Sequence, residues 1–256
     1  MERWNERWND GMMKSGNDGR WRTKLARALV LLSIIPSFHL SAQVGHDPAH
    51  SPYRDILLHS GPVFFVGHLS GNRGIAPAGT SNAMTFGARY EIPAGKSLHF
   101  QFTGAYIHGD RFIINPRADS SSPARTTGPF TSDLALAEIG MQLRLTGGKT
   151  WHGFAPHVGT ALGMVFDVNS PGDTTRSGYH FGSKLTIAFA TGVRWYPIRR
   201  VMINGELRAQ FWRLNYPVSF HDSTQASDGS RVLPLTQPLR DWTTHPWISL
   251  GIGWIF

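Results

Sequence analysis

The chain has 256 residues, no Cys, 16% charged residues, a net charge of +8 and a mean hydropathy of −0.22. Without Cys, a disulfide framework and thiolate metal sites are excluded. A charge content below the roughly 25% of soluble domains, with no overall hydrophobicity, argues against a bundle of membrane helices and suits strands whose polar and apolar residues average out. The length admits one domain, and the positive charge follows no basic stripe or binding motif, so no nucleic-acid partner is expected.

Residues 1–43 read as an N-terminal extension and signal peptide. Arg20, Arg22, Lys24 and Arg27 precede an apolar run from Ala28 to Leu40, interrupted at Pro36, and Ser41, Ala42 and Gln43 follow. A basic flank, a short apolar core and small residues make a secretory signal, and the run is too short to span a bilayer. Cleavage is expected near Ala42 or Gln43. The polar stretch before Arg20 is longer than a signal needs, which makes Met12 or Met13 an alternative start. These 43 residues carry seven Lys or Arg against four Asp or Glu, leaving a net of +5 for the remainder. Residues 44–55 are a polar lead-in. His46 and His50 lie there with Asp47-Pro48 between them, which favours a turn, and two ligands make no catalytic metal site.

From Ile56 to Phe256 the chain reads as eight strands. The first runs roughly from Ile56 to Leu69, its alternation blurred by Val63-Phe64-Phe65-Val66. The second carries Met84, Phe86, Ala88, Tyr90 and Ile92 on one face, the third Leu98, Phe100, Phe102 and Tyr106. The fourth sets Ala135, Ala137, Ile139, Met141, Leu143 and Leu145 against Glu138, Gln142 and Arg144. The fifth sets Phe154, Val158, Leu162, Met164 and Phe166 against His157, Gly159, Ala161 and Gly163. In the sixth, Phe181, Leu185, Ile187, Phe189, Val193 and Trp195 oppose Lys184, Thr186, Ala188, Gly192 and Arg194. In the seventh, Val201, Ile203, Leu207, Ala209 and Phe211 oppose Asn204, Glu206, Arg208 and Gln210. The last places Ile248, Leu250, Ile252, Trp254 and Phe256 opposite Ser249, Gly251 and Gly253. Successive strand residues face opposite sides, so each strand is greasy on one face and small or polar on the other.

The connections alternate in length. Ile92–Lys96, Thr146–Lys149 and Pro197–Arg199 are tight turns, rich in Gly and Pro. Gly71–Thr80, Gly109–Pro129, Asp167–Gly178 and Pro217–His245 are long. Tyr90, Trp151, Trp195, Tyr196, Trp254 and Phe256 lie beside the short turns or the terminus, and Tyr106, Phe166, Tyr179, Phe211 and Trp247 toward the long loops. Two aromatic belts are expected where a protein crosses two lipid–water interfaces. They argue against a soluble barrel holding a small ligand.

In this pattern, and in its final Trp254-Ile255-Phe256, the chain from Ile56 to Phe256 resembles the small eight-stranded outer-membrane barrels of Gram-negative-type bacteria. The resemblance implies an all-β fold: a single, monomeric, antiparallel up-and-down transmembrane barrel with short periplasmic turns, long extracellular loops and both termini periplasmic. It implies the bacterial outer membrane as location, outer-membrane lipids and the barrel-insertion machinery as partners, and Ile252, Trp254 and Phe256 as the assembly signal. An extracellular ligand is expected at the loops, its identity unspecified. Such families include porin-like barrels, surface-binding proteins and a few lipid-modifying enzymes, and fold alone does not choose among them.

Glu138, Arg144, Lys184, Arg194, Glu206 and Arg208 are the candidate lumen charges. An eight-stranded barrel has an interior that side chains fill, and buried charges must be paired. A structural ion-pair network is therefore expected, with a gated ion path as the alternative. Glu206 is the anion expected to pair with Arg194, Arg208 and Lys184. Gly159, Ala161, Gly163, Ala188, Gly192 and Gly251 are small inward residues that leave room for water.

His68-Leu69-Ser70 with Asn72 resembles the His-any-Ser-Asn signature of outer-membrane lipid A deacylases, where His is the base and Ser the nucleophile. Gly71 interrupts it, and it sits in the first hairpin rather than near the chain's end. Glu138 and His157 meet across the fourth and fifth strands in one allowed register. The loop segments Ala118–Gly128 and Ser219–Arg231 are polar, contain little to build a core and are expected to be solvated. The expected function is non-enzymatic, that of a porin-like or surface-exposed envelope protein, with no catalytic residue, cofactor or metal. The alternative is a lipid A deacylase-like enzyme.

Overall fold

The structure, a computed structural model, describes residues 51–256 except Leu57, Leu58, Arg199, Ile255 and Phe256. The expected signal peptide, the His46 and His50 pair and Phe256, expected to end an assembly signal, lie outside the described residues. Within them the strands are β1 (Tyr53–Asp55), β2 (Gly61–Leu69), β3 (Thr80–Pro93), β4 (Leu98–Ile114), β5 (Thr126–Arg144), β6 (Lys149–Trp151), β7 (Phe154–Asn169), β8 (Ser183–Ile198), β9 (Val201–Asn215) and β10 (Arg240–Trp254).

Eight long strands, β2 to β5 and β7 to β10, pair antiparallel in chain order. The cylinder closes where β10 meets β2, from Trp247 opposite Leu69 to Gly253 opposite Val63. Closure leaves no open edge over the height that the ladders share, so the ladder groups there have partners within the wall. The result is a closed, antiparallel, up-and-down eight-stranded barrel.

Two local details differ from the sequence reading. The first barrel strand begins at Gly61 rather than Ile56, and the segment before it gives β1, which pairs with β6. The connection after β5 is not one tight turn: it holds β6 and a second reversal at His152-Gly153, both left-handed with φ of 51° and 86°. β1 and β6 form a small ribbon at the turn end, Tyr53 opposite Trp151.

Outside the barrel stand the apolar faces that alternation predicts, including Phe86, Phe102, Ile139, Leu162, Phe189, Leu207 and Leu250. On β3 the exposed run spans Met84 to Ile92, within the 9–11 residues a tilted strand needs to cross a bilayer. So much contiguous apolar surface is stable against hydrocarbon, not water.

Inside, large side chains of one strand lie over small residues of the next. A Cβ on Gly192 would press on Gly205 O and lie 2.7 Å from His157 Cε1, and one on Gly67 would lie 2.5 Å from Trp247 Nε1. The small inward residues thus seat neighbouring side chains instead of leaving water-filled space at these points. Gly192→Val is expected to cost about 1–3 kcal/mol through overpacking, read from the shift in the unfolding midpoint.

The interior has two tiers. The half nearest the short turns is polar and charged. The half nearest the long loops is apolar, with Leu69, Ile107, Leu134, Val165, Trp212 and Trp247 buried. Trp247 and Tyr179 were expected in the loop-side belt and Phe181 on the outer face of its strand, but all three are buried inside. Phe181 precedes β8, and Gly182, at φ 63°, separates it from the strand's alternation. It meets Trp212 edge-on at 6.3 Å.

The long loops build onto this tier. Tyr179, Tyr216 and Phe220 stack with centroids 6.0–6.3 Å apart, joined in one core by Ala76, Ala78 and Leu233. The expectation of loops with little to form a core therefore fails for Phe220, which lies within Ser219–Arg231 and is buried, and Leu233 just beyond that segment is buried with it. Polar contacts latch the loop tips. Ser120 N–H and hydroxyl donate to Asp228 Oδ2 at 2.8 and 2.9 Å, while Ser227 hydroxyl and Asp228 N–H donate to Asp119 Oδ1 at 2.6 and 3.1 Å.

Asp173 staples the loop between β7 and β8. Its carboxylate accepts from Thr175 N–H and hydroxyl, Ser177 hydroxyl and Gly178 N–H at 2.7–3.1 Å. Partial burial pushes its pKa up, but these donors outweigh burial and hold it below the usual value. With the folded pKa depressed, the contribution is present above the unfolded value of about 3.9 and is lost as pH falls through the folded pKa. Limited proteolysis of this loop is expected to accelerate below about pH 4 and, in Asp173→Ala, to be fast at neutral pH.

Candidate functional site

Each strand delivers its polar face to the lumen by simple alternation, and the ladder registers set which side chains meet. Arg89 on β3 reaches across to Glu206 on β9 and donates from Nη1 and Nη2 to the two carboxylate oxygens, at 2.8 and 2.7 Å. Arg208 Nε lies 3.8 Å from Glu206 Oε1, and its Nη2 donates to Glu138 Oε2 at 2.5 Å. Gln210 Nε2 donates to the other Glu138 oxygen at 2.6 Å and bonds Thr186. Arg194 Nη2 donates to Glu91 at 2.6 Å and bonds Gln142. Arg144 Nη2 meets His99.

All these groups are buried. In a low-dielectric interior, bidentate Arg–carboxylate pairs both fix geometry and satisfy charge. Cation–π contacts join the tiers: Arg208 sits 4.9 Å above Trp247, and Arg89 5.8 Å from the Phe65 ring.

The six charges named from sequence all face inward and are buried, but they do not form one cluster. Glu138, Arg208 and Glu206 are joined. Arg194 and Arg144 sit nearer the turn-side mouth. Lys184 is apart, over Phe181 at 5.3 Å in the loop-side half, so it does not serve Glu206. The main partner of Glu206 is Arg89, which the sequence reading did not single out. Arg89, Glu91, His99 and Gln101 were legible in principle, since they alternate with the very apolar residues that marked the second and third strands.

Glu138 and His157 do not form a pair. His157 stands opposite Arg144 in the register and its Nε2 is 3.5 Å from Glu206 Oε2. His68 faces outward and is exposed. Ser70 N–H donates to Pro246 O and Asn72 N–H to His245 Nδ1, and among the described residues no hydrogen bond joins His68 to Ser70. An outward His–carboxylate pair does stand at the loop-side rim, His108 Nδ1 2.6 Å from Asp133 Oδ1. Among the described residues no hydroxyl hydrogen-bonds the other nitrogen of His108. Of the residues expected to form an assembly signal, Ile252 and Trp254 face outward, Trp254 at 47% exposure on the turn-side rim. No group of three or more metal-ligating side chains occurs among the described residues.

A closed barrel, apolar outside and filled inside by ion pairs, has the fold of the small eight-stranded outer-membrane barrels. No family model matches the sequence, and no curated protein matches it. Among solved structures, the chain is similar in fold to the outer membrane protein OprG from Pseudomonas aeruginosa, at 10% identity and a TM-score of 0.46, covering 79% of this chain and 98% of that one. Neisserial surface protein A is similar at 11% identity and a TM-score of 0.42, covering 80% and 98%. The N-terminal β-barrel domain of Pseudomonas aeruginosa OprF is similar at 12% identity and a TM-score of 0.41, covering 79% and 100%. The assignment of fold class rests on the ladder registers and the two faces of the wall, not on these likenesses.

Proposed function

We propose that this protein is a non-enzymatic, surface-exposed protein of the bacterial outer membrane, a plugged barrel that anchors a folded loop platform. In this reading the short turns face the periplasm, the loops face outward, and the chain is exported by a cleaved signal peptide and inserted by the machinery that reads Ile252, Trp254 and Phe256. Lipid surrounds the wall, and a ligand, if taken, is taken at the loops, where a rigid scaffold usually carries binding residues. The observation that carries the reading is the filling of the lumen. Trp212, Trp247, Leu69, Ile107 and Leu134 pack together in its loop-side half under the aromatic cap, so the interior serves stability rather than passage.

The porin-like reading is tested directly. In planar bilayers the purified barrel is expected to give no sustained open-channel current. Stable, ohmic openings would overturn the plugged-barrel reading. The lipid-modifying reading has little support, with His68 and Ser70 unjoined, and an unchanged lipid A mass profile in expressing cells is expected.

A further inference from the structure

The turn-side mouth of the lumen holds a charge imbalance that the ion pairs leave unresolved. In the polar half of the lumen the guanidiniums of Arg89, Arg144, Arg194 and Arg208 face the carboxylates of Glu91, Glu138 and Glu206, all seven buried, with Arg144, Arg194 and Glu91 nearest the mouth. Glu206 is taken by Arg89, Glu138 by Arg208, and Glu91 by Arg194. Among the described residues Arg144 is the cation left over. It is 3% exposed, and among the described residues its Nη2 meets only the ring of His99 and its Nε and Nη1 have no hydrogen-bond partner.

An arginine does not shed its proton to escape this position. A buried charge without a counter-charge is among the costliest arrangements in a folded protein. What the position lacks is an anion, and there is space for one. Arg144, Arg194, His99, Glu91 and Tyr196 line a cavity of about 20 Å³ at this end of the barrel, with Trp254 at its rim. About 10–15 Å³ holds one water-sized particle, so the cavity takes a single small body and is too tight for a tetrahedral oxyanion with its hydration.

The geometry points to a binding site for one small monovalent inorganic anion, of chloride size, at the turn-side mouth of the lumen, with Arg144 as its principal ligand and Arg194 as the second cation facing it. Among the described residues Arg194 keeps one unpartnered N–H, its Nε, so both guanidiniums hold donors in reserve. Glu91 sets the selectivity: its carboxylate in the cavity wall opposes multiply charged anions while Arg194 neutralises it toward a single charge. The site does not depend on the surface-protein reading, because it stabilises the barrel whether or not the loops bind anything.

The test uses the purified full-length barrel in detergent. Unfolding midpoints are measured in sodium chloride, sodium bromide, sodium phosphate and sodium gluconate at equal ionic strength, for the wild type and Arg144→Gln. The wild-type midpoint is expected to rise with halide concentration, as it does whenever a ligand binds only the folded state, and to stay flat in gluconate and phosphate. Arg144→Gln is expected to lose the halide dependence. Crystals of the wild type grown in bromide are expected to show anomalous density against Arg144, which keeps the test independent of whether the variant folds. Equal wild-type midpoints in halide and gluconate would overturn the proposal, as would bromide density absent from Arg144.

Discussion

Glu206→Gln is expected to destabilise the barrel by about 3–5 kcal/mol, the cost of breaking a buried ion pair by removing one partner. The side chain is 1% exposed and holds both terminal nitrogens of Arg89. Arg208 Nε lies 3.8 Å away and His157 Nε2 3.5 Å away. A neutral amide keeps the volume but offers one acceptor oxygen where the carboxylate offers two, and it leaves Arg89 without a counter-charge. The partner variant separates charge from packing. Glu206→Gln combined with Arg89→Gln removes both charges, and exchange of a whole buried pair for neutral groups is often close to neutral. The double variant should therefore recover much of the loss, and the cycle should return a coupling well above the few tenths expected of independent sites. Urea titrations in lipid vesicles, read by tryptophan fluorescence, give the four stabilities. Additive losses would mean that Arg89 and Glu206 do not act as a pair.

That prediction rests on a contact that sequence reading approached from the wrong side. Glu206 was legible as an inward anion because it alternates with Ile203, Leu207 and Phe211, and the neighbouring strand offered Arg194. Its actual partner comes from β3, separated by 117 residues, across the lumen instead of along the wall. Period-two patterning states which face a side chain occupies and says nothing about which strand lies opposite. That is set by strand number, tilt and stagger.

The same limit explains Lys184. Its inward face was legible, but its height along the axis was not, and height puts it beside Phe181 in the apolar tier. Trp247 shows a different failure. Alternation within β10 already placed it with Ser249 and Gly251 on the inner face, but position near a long loop suggested an interfacial ring. Packing won, because Gly67, two residues along β2 from the register partner Leu69, leaves room for an indole. The loop cap was hidden for a third reason. Tyr179, Tyr216, Phe220 and Leu233 are isolated apolar residues in polar stretches, with no period to mark them, and only the closed barrel brings them over one mouth.

What the wall's outer face does is decided by depth, and this gives the second large effect. Phe189→Arg is expected to cost about 2–4 kcal/mol, and Ile198→Arg about 0–1 kcal/mol, although both side chains are outward and equally open. Phe189 is 58% exposed, sits midway along β8, and packs edge-on against Phe211 at 6.1 Å. Ile198 is 61% exposed and ends the same strand at the turn side. In water these positions would respond alike, since each would gain solvated charge and lose exposed apolar area. In a bilayer they differ, because a guanidinium at the midplane must leave water or drag it in, whereas one at the rim reaches the headgroups. Unfolding titrations in vesicles of matched thickness measure both. Equal and small losses for the two variants would remove the membrane from the explanation of the apolar wall. A large loss confined to Phe189 would locate the hydrocarbon centre at that height on the barrel.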